Sequence, residues 1–119
     1  MRTVLRSLVL LLVAMAMGAC TGADQSNSIR VTSTDDECQV AMITAESGTL
    51  VFEVTNAGEQ VTEFYLYAAD GIEVVGEVED IGPGVTRELV VDAAPGEYLT
   101  ACKPGMSGEG IRAPFIVTG

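Results

Sequence analysis

Cys38 and Cys102 are the residues of this chain best suited to chemistry, because a cysteine sulfur can bind a metal ion or form a disulfide. Cys102 lies in the segment Gly96–Met106, where an apolar stretch ends in the cysteine and a Lys-Pro-Gly turn follows. An oxidising compartment favours a disulfide, which would stabilise a small domain by roughly 2–4 kcal/mol. Free thiolates would instead be metal ligands. The residues alone leave both alternatives open.

The chain contains no histidine, and this excludes several kinds of site. A serine or cysteine nucleophile has no imidazole to activate it, and no glycine-rich phosphate loop opens a helix. A blue-copper centre needs two imidazoles beside one thiolate. We therefore expect neither an enzyme acting on an organic substrate nor a blue-copper centre.

The N-terminal segment has the features of an export signal that ends in a lipid-attachment site. Two arginines precede an apolar run, Leu8–Met17, which is too short to span a membrane as a stable helix. The following Met17-Gly18-Ala19-Cys20 resembles a bacterial lipobox, in which the cysteine is acylated and becomes the first mature residue. We expect residues 1–19 to be a lipoprotein signal and Cys20 to anchor the protein on the extracytoplasmic face of the cell membrane. The alternative is an ordinary secretory signal cut after Ala19.

Beyond the signal, the composition predicts one acidic domain. The remaining 100 residues contain four basic and seventeen acidic side chains, a formal charge of −13, and this length suits a single domain. Such a charge argues against nucleic acid as a partner and suits cations, although solubility alone also explains it. Residues 20–28 are small or polar and predict a flexible tether.

From residue 29 to residue 119 the sequence predicts an all-β domain. Apolar and polar residues alternate in Leu50-Val51-Phe52-Glu53-Val54, as is typical of a half-buried strand. Other stretches that suit strands are Ile29–Val31, Phe64–Tyr67, Ile72–Val78, Glu88–Val91, Tyr98–Cys102 and Phe115–Val117. Clusters of Gly, Pro and Asn separate them. About seven or eight short strands with such turns indicate a sandwich or a barrel.

Several segments together resemble the cupredoxin family, and more closely the cupredoxin-like domain of EfeO-type periplasmic iron-uptake proteins. The resemblance extends from about residue 29 to the C-terminus. It rests on Val31–Cys38, Gly48–Gly58, Thr62–Tyr65, Ile81–Gly84 and Gly96–Gly105. It implies a Greek-key β-sandwich whose metal site lies at one end and is held by loops.

The resemblance also implies which residues would bind the metal. The cupredoxin thiolate corresponds to Cys102, Glu63 stands near the position of the first histidine ligand, and Met106 is the donor nearest to the second. The loop of Cys38 lies near the same end, so the implied ligands are Cys38, Glu63, Cys102 and Met106. A carboxylate favours iron or oxidised copper, whereas a thioether suits cuprous copper. The alternatives are a solvated edge carboxylate for Glu63 and an apolar contact for Met106.

These observations lead to three hypotheses about function. The first is a lipid-anchored extracytoplasmic protein that binds copper or iron and passes metal or an electron to an iron-uptake permease or its associated proteins. The second is a disulfide-stapled β-sandwich that acts as an interaction module and binds no metal. The third is an accessory that oxidises ferrous iron for a permease. The resemblance favours the first.

Overall fold

Nine β-strands make up the part of the chain that the structure, a computed structural model, describes, namely residues 28–119. They are β1 (Ser28–Ser33), β2 (Cys38–Val40), β3 (Thr44–Glu46), β4 (Gly48–Asn56), β5 (Thr62–Ala68), β6 (Val74–Ile81), β7 (Thr86–Ala93), β8 (Gly96–Cys102) and β9 (Ile111–Thr118). Within these residues no helix has the length and apolarity needed to cross a membrane. The predicted signal, Cys20 and most of the predicted tether lie outside the described residues.

The strands form two sheets that pack face to face. One sheet has four strands in the order β2-β1-β4-β7, and the other has five in the order β3-β9-β8-β5-β6. β1 pairs in parallel with β4 and β3 with β9, whereas the remaining pairs are antiparallel. The predicted fold class, an all-β Greek-key sandwich of the cupredoxin type, is confirmed.

Three phenylalanines form the centre of the core between the sheets. The ring of Phe52 lies 5.1 Å from that of Phe64 and 5.4 Å from that of Phe115, centroid to centroid. All three side chains are buried. Because β4 belongs to one sheet and β5 and β9 to the other, these aromatic contacts hold the two sheets together.

Two short strands and one strand boundary differ from the sequence prediction. β2 and β3 have three residues each, too few for an alternating pattern to be recognised. β6 begins at Val74 rather than at Ile72 because the carboxylate of Asp70 makes a turn there. Its Oδ1 accepts hydrogen bonds from the backbone N–H groups of Ile72 at 2.8 Å and Glu73 at 3.0 Å.

The loop that leads into β5 is fixed by two side chains. The buried Asn56 donates from Nδ2 to the carbonyl oxygens of Gln60 at 2.7 Å and Ile81 at 2.8 Å. Asp35 Oδ1 accepts hydrogen bonds from the N–H groups of Glu59 at 3.0 Å and Gln60 at 3.1 Å. The backbone that enters β5 is therefore held in one position, and with it the side chains at the start of that strand.

Candidate functional site

Cys38 and Cys102 form a disulfide in this structure, with their Cα atoms 5.5 Å apart. Cys38 belongs to β2 in the four-stranded sheet and Cys102 to β8 in the five-stranded sheet, so the bond joins the two sheets at one end of the sandwich. The structure thus contains the disulfide, one of the two alternatives that the sequence left open. In this form neither sulfur is a thiolate.

Glu63 lies at the start of β5, and its side chain is only 7% exposed. The hydroxyl of Tyr65, two residues along the same strand, lies 3.1 Å from Glu63 Oε2 and 3.1 Å from Glu79 Oε1. Glu77 of β6 pairs directly with Tyr65 across the sheet. We call Glu63, Tyr65, Glu77 and Glu79 the Tyr65 cluster; it lies on the outer face of the five-stranded sheet, while Phe64 points into the core.

The Tyr65 cluster has more hydrogen-bond acceptors than donors. A phenol carries one proton, so the Tyr65 hydroxyl donates to only one carboxylate at a time. The other carboxylate oxygen then faces the phenol oxygen without a hydrogen between them. Because Glu63 is nearly buried, water compensates this poorly.

The ring of Tyr65 contacts a second tyrosine ring, that of Tyr67, and each of the two rings contacts a cation. The rings of Tyr65 and Tyr67 stack with centroids 5.3 Å apart and an interplanar angle of 8°. Lys103 Nζ lies 4.1 Å from the centroid of Tyr65, and Arg112 Cζ lies 4.7 Å from that of Tyr67. These cation–π contacts hold the two rings in place and put positive charge over their faces.

Burial raises the pKa of Tyr65 far above its ordinary value of 10.0, because the charged phenolate loses its hydration. The hydrogen bonds to Glu79, Glu63 and Glu77 and the negative charge of Glu63 raise it further, since the carboxylates accept from the protonated phenol. The folded protein therefore retains this proton at a pH where the unfolded chain releases it.

A protein in which Tyr65 is replaced by Phe should lose less stability at alkaline pH than the wild type. A raised folded-state pKa contributes stability that is complete below the unfolded pKa of about 10 and is lost as pH rises above it. The Tyr65→Phe variant lacks this titration, so its free energy of unfolding should fall less steeply above about pH 10. Urea unfolding at a series of pH values measures both slopes. Equal slopes for the two proteins would contradict the environment described for Tyr65.

The four residues predicted as metal ligands are not gathered into one site. Cys102 pairs with Phe64 and faces the core, whereas Glu63 packs on the outer face of the same sheet. Met106 is 41% exposed, on a turn in which its N–H donates to the carbonyl of Lys103 at 2.9 Å. Between residues 28 and 119, no three His, Cys, Asp or Glu side chains form a group able to hold a metal ion. The four-ligand set therefore stays a prediction that this structure does not assemble.

A blue-copper centre does not fit the residues present. Such a centre requires two imidazoles and one thiolate. The chain has no histidine, and the sulfurs of Cys38 and Cys102 are joined to each other. The hard donors that the structure does bring together are oxygens, those of Glu63, Tyr65 and Glu79.

Sequence reasoning missed Tyr65 and Glu79 as neighbours of Glu63. Alternation along β5 places Glu63 and Tyr65 on one face, and this much is visible in the sequence. The approach of Glu79, sixteen positions after Glu63, depends on how β6 pairs with β5. No feature of the sequence specifies that register.

Comparison with protein families gives one match that covers most of the chain. The model of the family described as "Cupredoxin-like domain" matches residues 7–117. Among individual proteins, the "Iron uptake system component EfeO" of Yersinia pseudotuberculosis is 32% identical over 101 residues, which are 85% of this chain and 26% of that protein. The EfeO of Escherichia coli is 32% identical over 74 residues, 62% of this chain and 19% of that protein. The chain thus spans about a quarter or less of the length of these relatives.

Solved structures show the same fold at low sequence identity. The reduced auracyanin of Roseiflexus castenholzii superimposes with a TM-score of 0.64 at 18% identity, over 79% of this chain and 98% of that one. Auracyanin A of Chloroflexus aurantiacus, a "blue" copper protein, superimposes with a TM-score of 0.62 at 17% identity, over 76% of this chain and 98% of that one. These similarities confirm the sandwich, and the family match confirms the resemblance inferred from the sequence. The chain belongs to the family of cupredoxin-like domains and, within it, resembles the EfeO type.

Proposed function

We propose that this protein is a lipid-anchored, extracytoplasmic module that binds iron as an accessory of an iron-uptake system and does not turn over an organic substrate. The observation that carries the proposal is the position of the Tyr65 hydroxyl, 3.1 Å from carboxylate oxygens of both Glu63 and Glu79. Similarity to proteins named as iron-uptake components supports the same role. The anchor is inferred from the lipobox-like segment that ends at Cys20.

The electrostatics of the Tyr65 cluster favour a cation. Three carboxylates, Glu63, Glu77 and Glu79, lie near one hydroxyl proton, and the two nearby cations, Lys103 and Arg112, do not balance them. A metal ion bound between Glu63 and Glu79 would satisfy both carboxylates, while the Tyr65 hydroxyl, whose pKa is raised, would keep its proton. Because these side chains now bond to the phenol, they would have to close around the ion.

The donor set favours iron over copper. Carboxylate and phenol oxygens are hard donors that suit ferric and ferrous ions, whereas copper sites in proteins rely on imidazole and sulfur. The chain supplies no imidazole, and the disulfide occupies both sulfurs of the described domain. Iron is here a cargo, received and released, rather than a permanently bound group.

The disulfide also favours a second candidate function. A sandwich stapled between its sheets by Cys38 and Cys102 could act as an interaction module that binds no metal. This candidate and the first differ in one measurable property, the affinity of the isolated protein for iron.

Metal loading of the full-length protein distinguishes the two candidates. We expect protein equilibrated with ferric or anaerobic ferrous iron, and then freed of unbound metal, to retain iron in stoichiometric amount. The copper-treated protein should lack the intense blue absorption of a blue-copper centre, because the chain has no histidine and the disulfide occupies both sulfurs of residues 28–119. Failure to retain iron in either oxidation state would favour the interaction module. An intense blue colour after copper treatment would contradict the donor set described above.

A further inference from the structure

Cations as well as carboxylates lie on the outer face of the five-stranded sheet. One acidic and two basic residues precede residue 28, so residues 28–119 contain sixteen acidic residues and only four basic ones. Two of these four, Lys103 and Arg112, lie over the stacked rings of Tyr65 and Tyr67. Lys103 Nζ, which is 4.1 Å from the centroid of Tyr65, is also 5.5 Å from that of Tyr67. Half of the basic side chains of this acidic domain are therefore gathered over one pair of rings.

The contacts described for the two cations do not neutralise their charge. An aromatic face attracts the ammonium of Lys103 but accepts hydrogen bonds only weakly, and that group has three N–H donors. Arg112 donates from Nε to the carbonyl of Glu109 at 2.8 Å and from Nη1 to the carbonyl of Gly71 at 3.0 Å, and its Nη2 makes neither bond. Carbonyls carry no net charge, and both cationic side chains are half-buried. An anion beside them would therefore compensate for hydration that they have lost.

Both cations are held in place by the fold. The N–H of Lys103 donates to the carbonyl of Glu63 at 2.8 Å, which fixes the backbone of the lysine beside the Tyr65 cluster. The stem of Lys103 packs against Gly110, where an added Cβ would lie 2.7 Å from Lys103 Cγ. Arg112 is held by its two carbonyl partners. An anion would thus meet cations that are already positioned, and this lowers the entropy cost of binding it.

A ferric ion held between Glu63 and Glu79 would leave the site short of negative charge and of ligands. The carboxylates of Glu63, Glu77 and Glu79 carry three negative charges, which a ferric ion alone would cancel. The charges of Lys103 and Arg112 would then remain uncompensated within the site. Glu63 and Glu79 offer four oxygens at most, whereas hard ions prefer six in an octahedral arrangement. Binding of ferric iron therefore favours the uptake of an oxygen-bearing anion.

The ring of Tyr65 connects the two parts of this arrangement. Its hydroxyl lies 3.1 Å from Glu63 Oε2 and from Glu79 Oε1, while Lys103 Nζ lies over the face of the same ring. A ligand about as large as the ring can therefore coordinate iron at the hydroxyl end and accept a hydrogen bond from Lys103. Carbonate and carboxylate groups suit both contacts, because their oxygens are hard donors to a metal and strong acceptors for cationic N–H groups.

We propose that Lys103, together with Arg112, binds a carbonate or carboxylate anion that completes the coordination of ferric iron held between Glu63 and Glu79. The inference rests on the iron site of the proposed function and deepens it, since the cargo becomes ferric iron with an oxygen anion rather than the bare ion. The same contacts fit free carbonate and the acid groups of a polycarboxylate that chelates iron. The two sources differ in which anion stays on the protein with the metal.

Radiolabelled anions test the proposal on the full-length protein. Anaerobic ferrous iron is added to the wild type and then oxidised in air, so that no chelator is needed to supply the metal. The buffer contains labelled bicarbonate, labelled citrate or neither, and a parallel series omits the iron. Iron and label per protein are counted after unbound metal and anion are removed. The iron is then withdrawn with a competing chelator to compare affinities.

Three variants separate binding of the anion from packing on the rings. Lys103→Met removes the charge and keeps the length of the side chain, whereas Lys103→Arg keeps the charge. Arg30→Met is the matched control, because Arg30 is an exposed cation on β1 of the other sheet and its loss changes the net charge equally.

We expect the wild type to retain one anion per iron and no label when iron is omitted. The anion should raise the affinity for iron by about tenfold or more, the effect of one hydrogen bond to a charged group. Lys103→Met should lose this gain, and Lys103→Arg and Arg30→Met should keep it. Retention of bicarbonate identifies free carbonate as the source, and retention of citrate identifies a polycarboxylate chelate.

Iron retained with equal affinity in all buffers, free of label, would overturn the anion site and leave the iron site intact. Label bound equally without iron, or equal gains in the wild type and Lys103→Met, would also overturn it, since Lys103 would then only pack on the rings. The wild-type measurements decide by themselves if a variant fails to fold. A wild type that retains no iron in any buffer would overturn the proposed function and the inference together.

Discussion

Removing the disulfide should lower the free energy of unfolding of the domain by about 2–5 kcal/mol. The bond joins Cys38 of one sheet to Cys102 of the other and closes a loop with a sequence separation of 64. In a domain this small, a covalent link between the sheets is a large part of the net stability. Cys38→Ser is the preferred variant, because Cys102 is fully buried and a serine there would add an unpaired hydroxyl to the core. Urea unfolding followed by far-ultraviolet circular dichroism gives the difference.

Reductant provides the control for this prediction. It should destabilise the wild-type protein by a similar amount and have no further effect on Cys38→Ser. Iron binding should persist in the variant, since the Tyr65 cluster contains no sulfur. Two reactive domain thiols in unreduced, unfolded wild-type protein would contradict the disulfide. Loss of iron binding without loss of stability would instead support the hypothesis that the cysteines are metal ligands.

Much of the fold can be predicted from the sequence because its strands alternate. In β4, Leu50, Phe52 and Val54 are buried while Val51 and Glu53 are partly exposed, as the pattern predicts. Turn residues such as Asn56 mark where strands end. The short strands β2 and β3 could not be predicted, because their three residues are held by pairing with β1 and β9 rather than by any local pattern.

The candidate site is less predictable because it depends on register. The resemblance pointed to Glu63 and Cys102 as neighbours in one metal site. In the structure Cys102 pairs with Phe64, so both side chains lie on the inner face of the five-stranded sheet. Glu63 lies on the outer face of that sheet. A shift of one residue in the pairing of β8 with β5 would reverse this, and the sequence contains no signal that excludes such a shift.

Replacing the carboxylates that flank Tyr65 should remove most of the affinity for iron. Glu63→Gln and Glu79→Gln each keep the shape of the side chain but lose its charge. Each is a proposed ligand, so its loss should weaken iron binding by more than the roughly tenfold that is lost when an outer partner of a metal ligand is removed. Both changes together should reduce binding further. Glu53→Gln is the matched control, since it makes the same change at a half-exposed position on the other sheet.

Calorimetric titration of iron into the wild-type protein, Glu63→Gln, Glu79→Gln, the double variant and Glu53→Gln is the most direct test of the claim that the Tyr65 cluster binds a cation. The iron is supplied as a complex with a weak competing ligand, which keeps the iron soluble during the titration. The proposed iron site predicts binding to the wild-type protein and to Glu53→Gln, weaker binding to each single variant at the cluster, and the weakest to the double variant. Equal affinities for all five proteins, or no binding by the wild type, would contradict the claim.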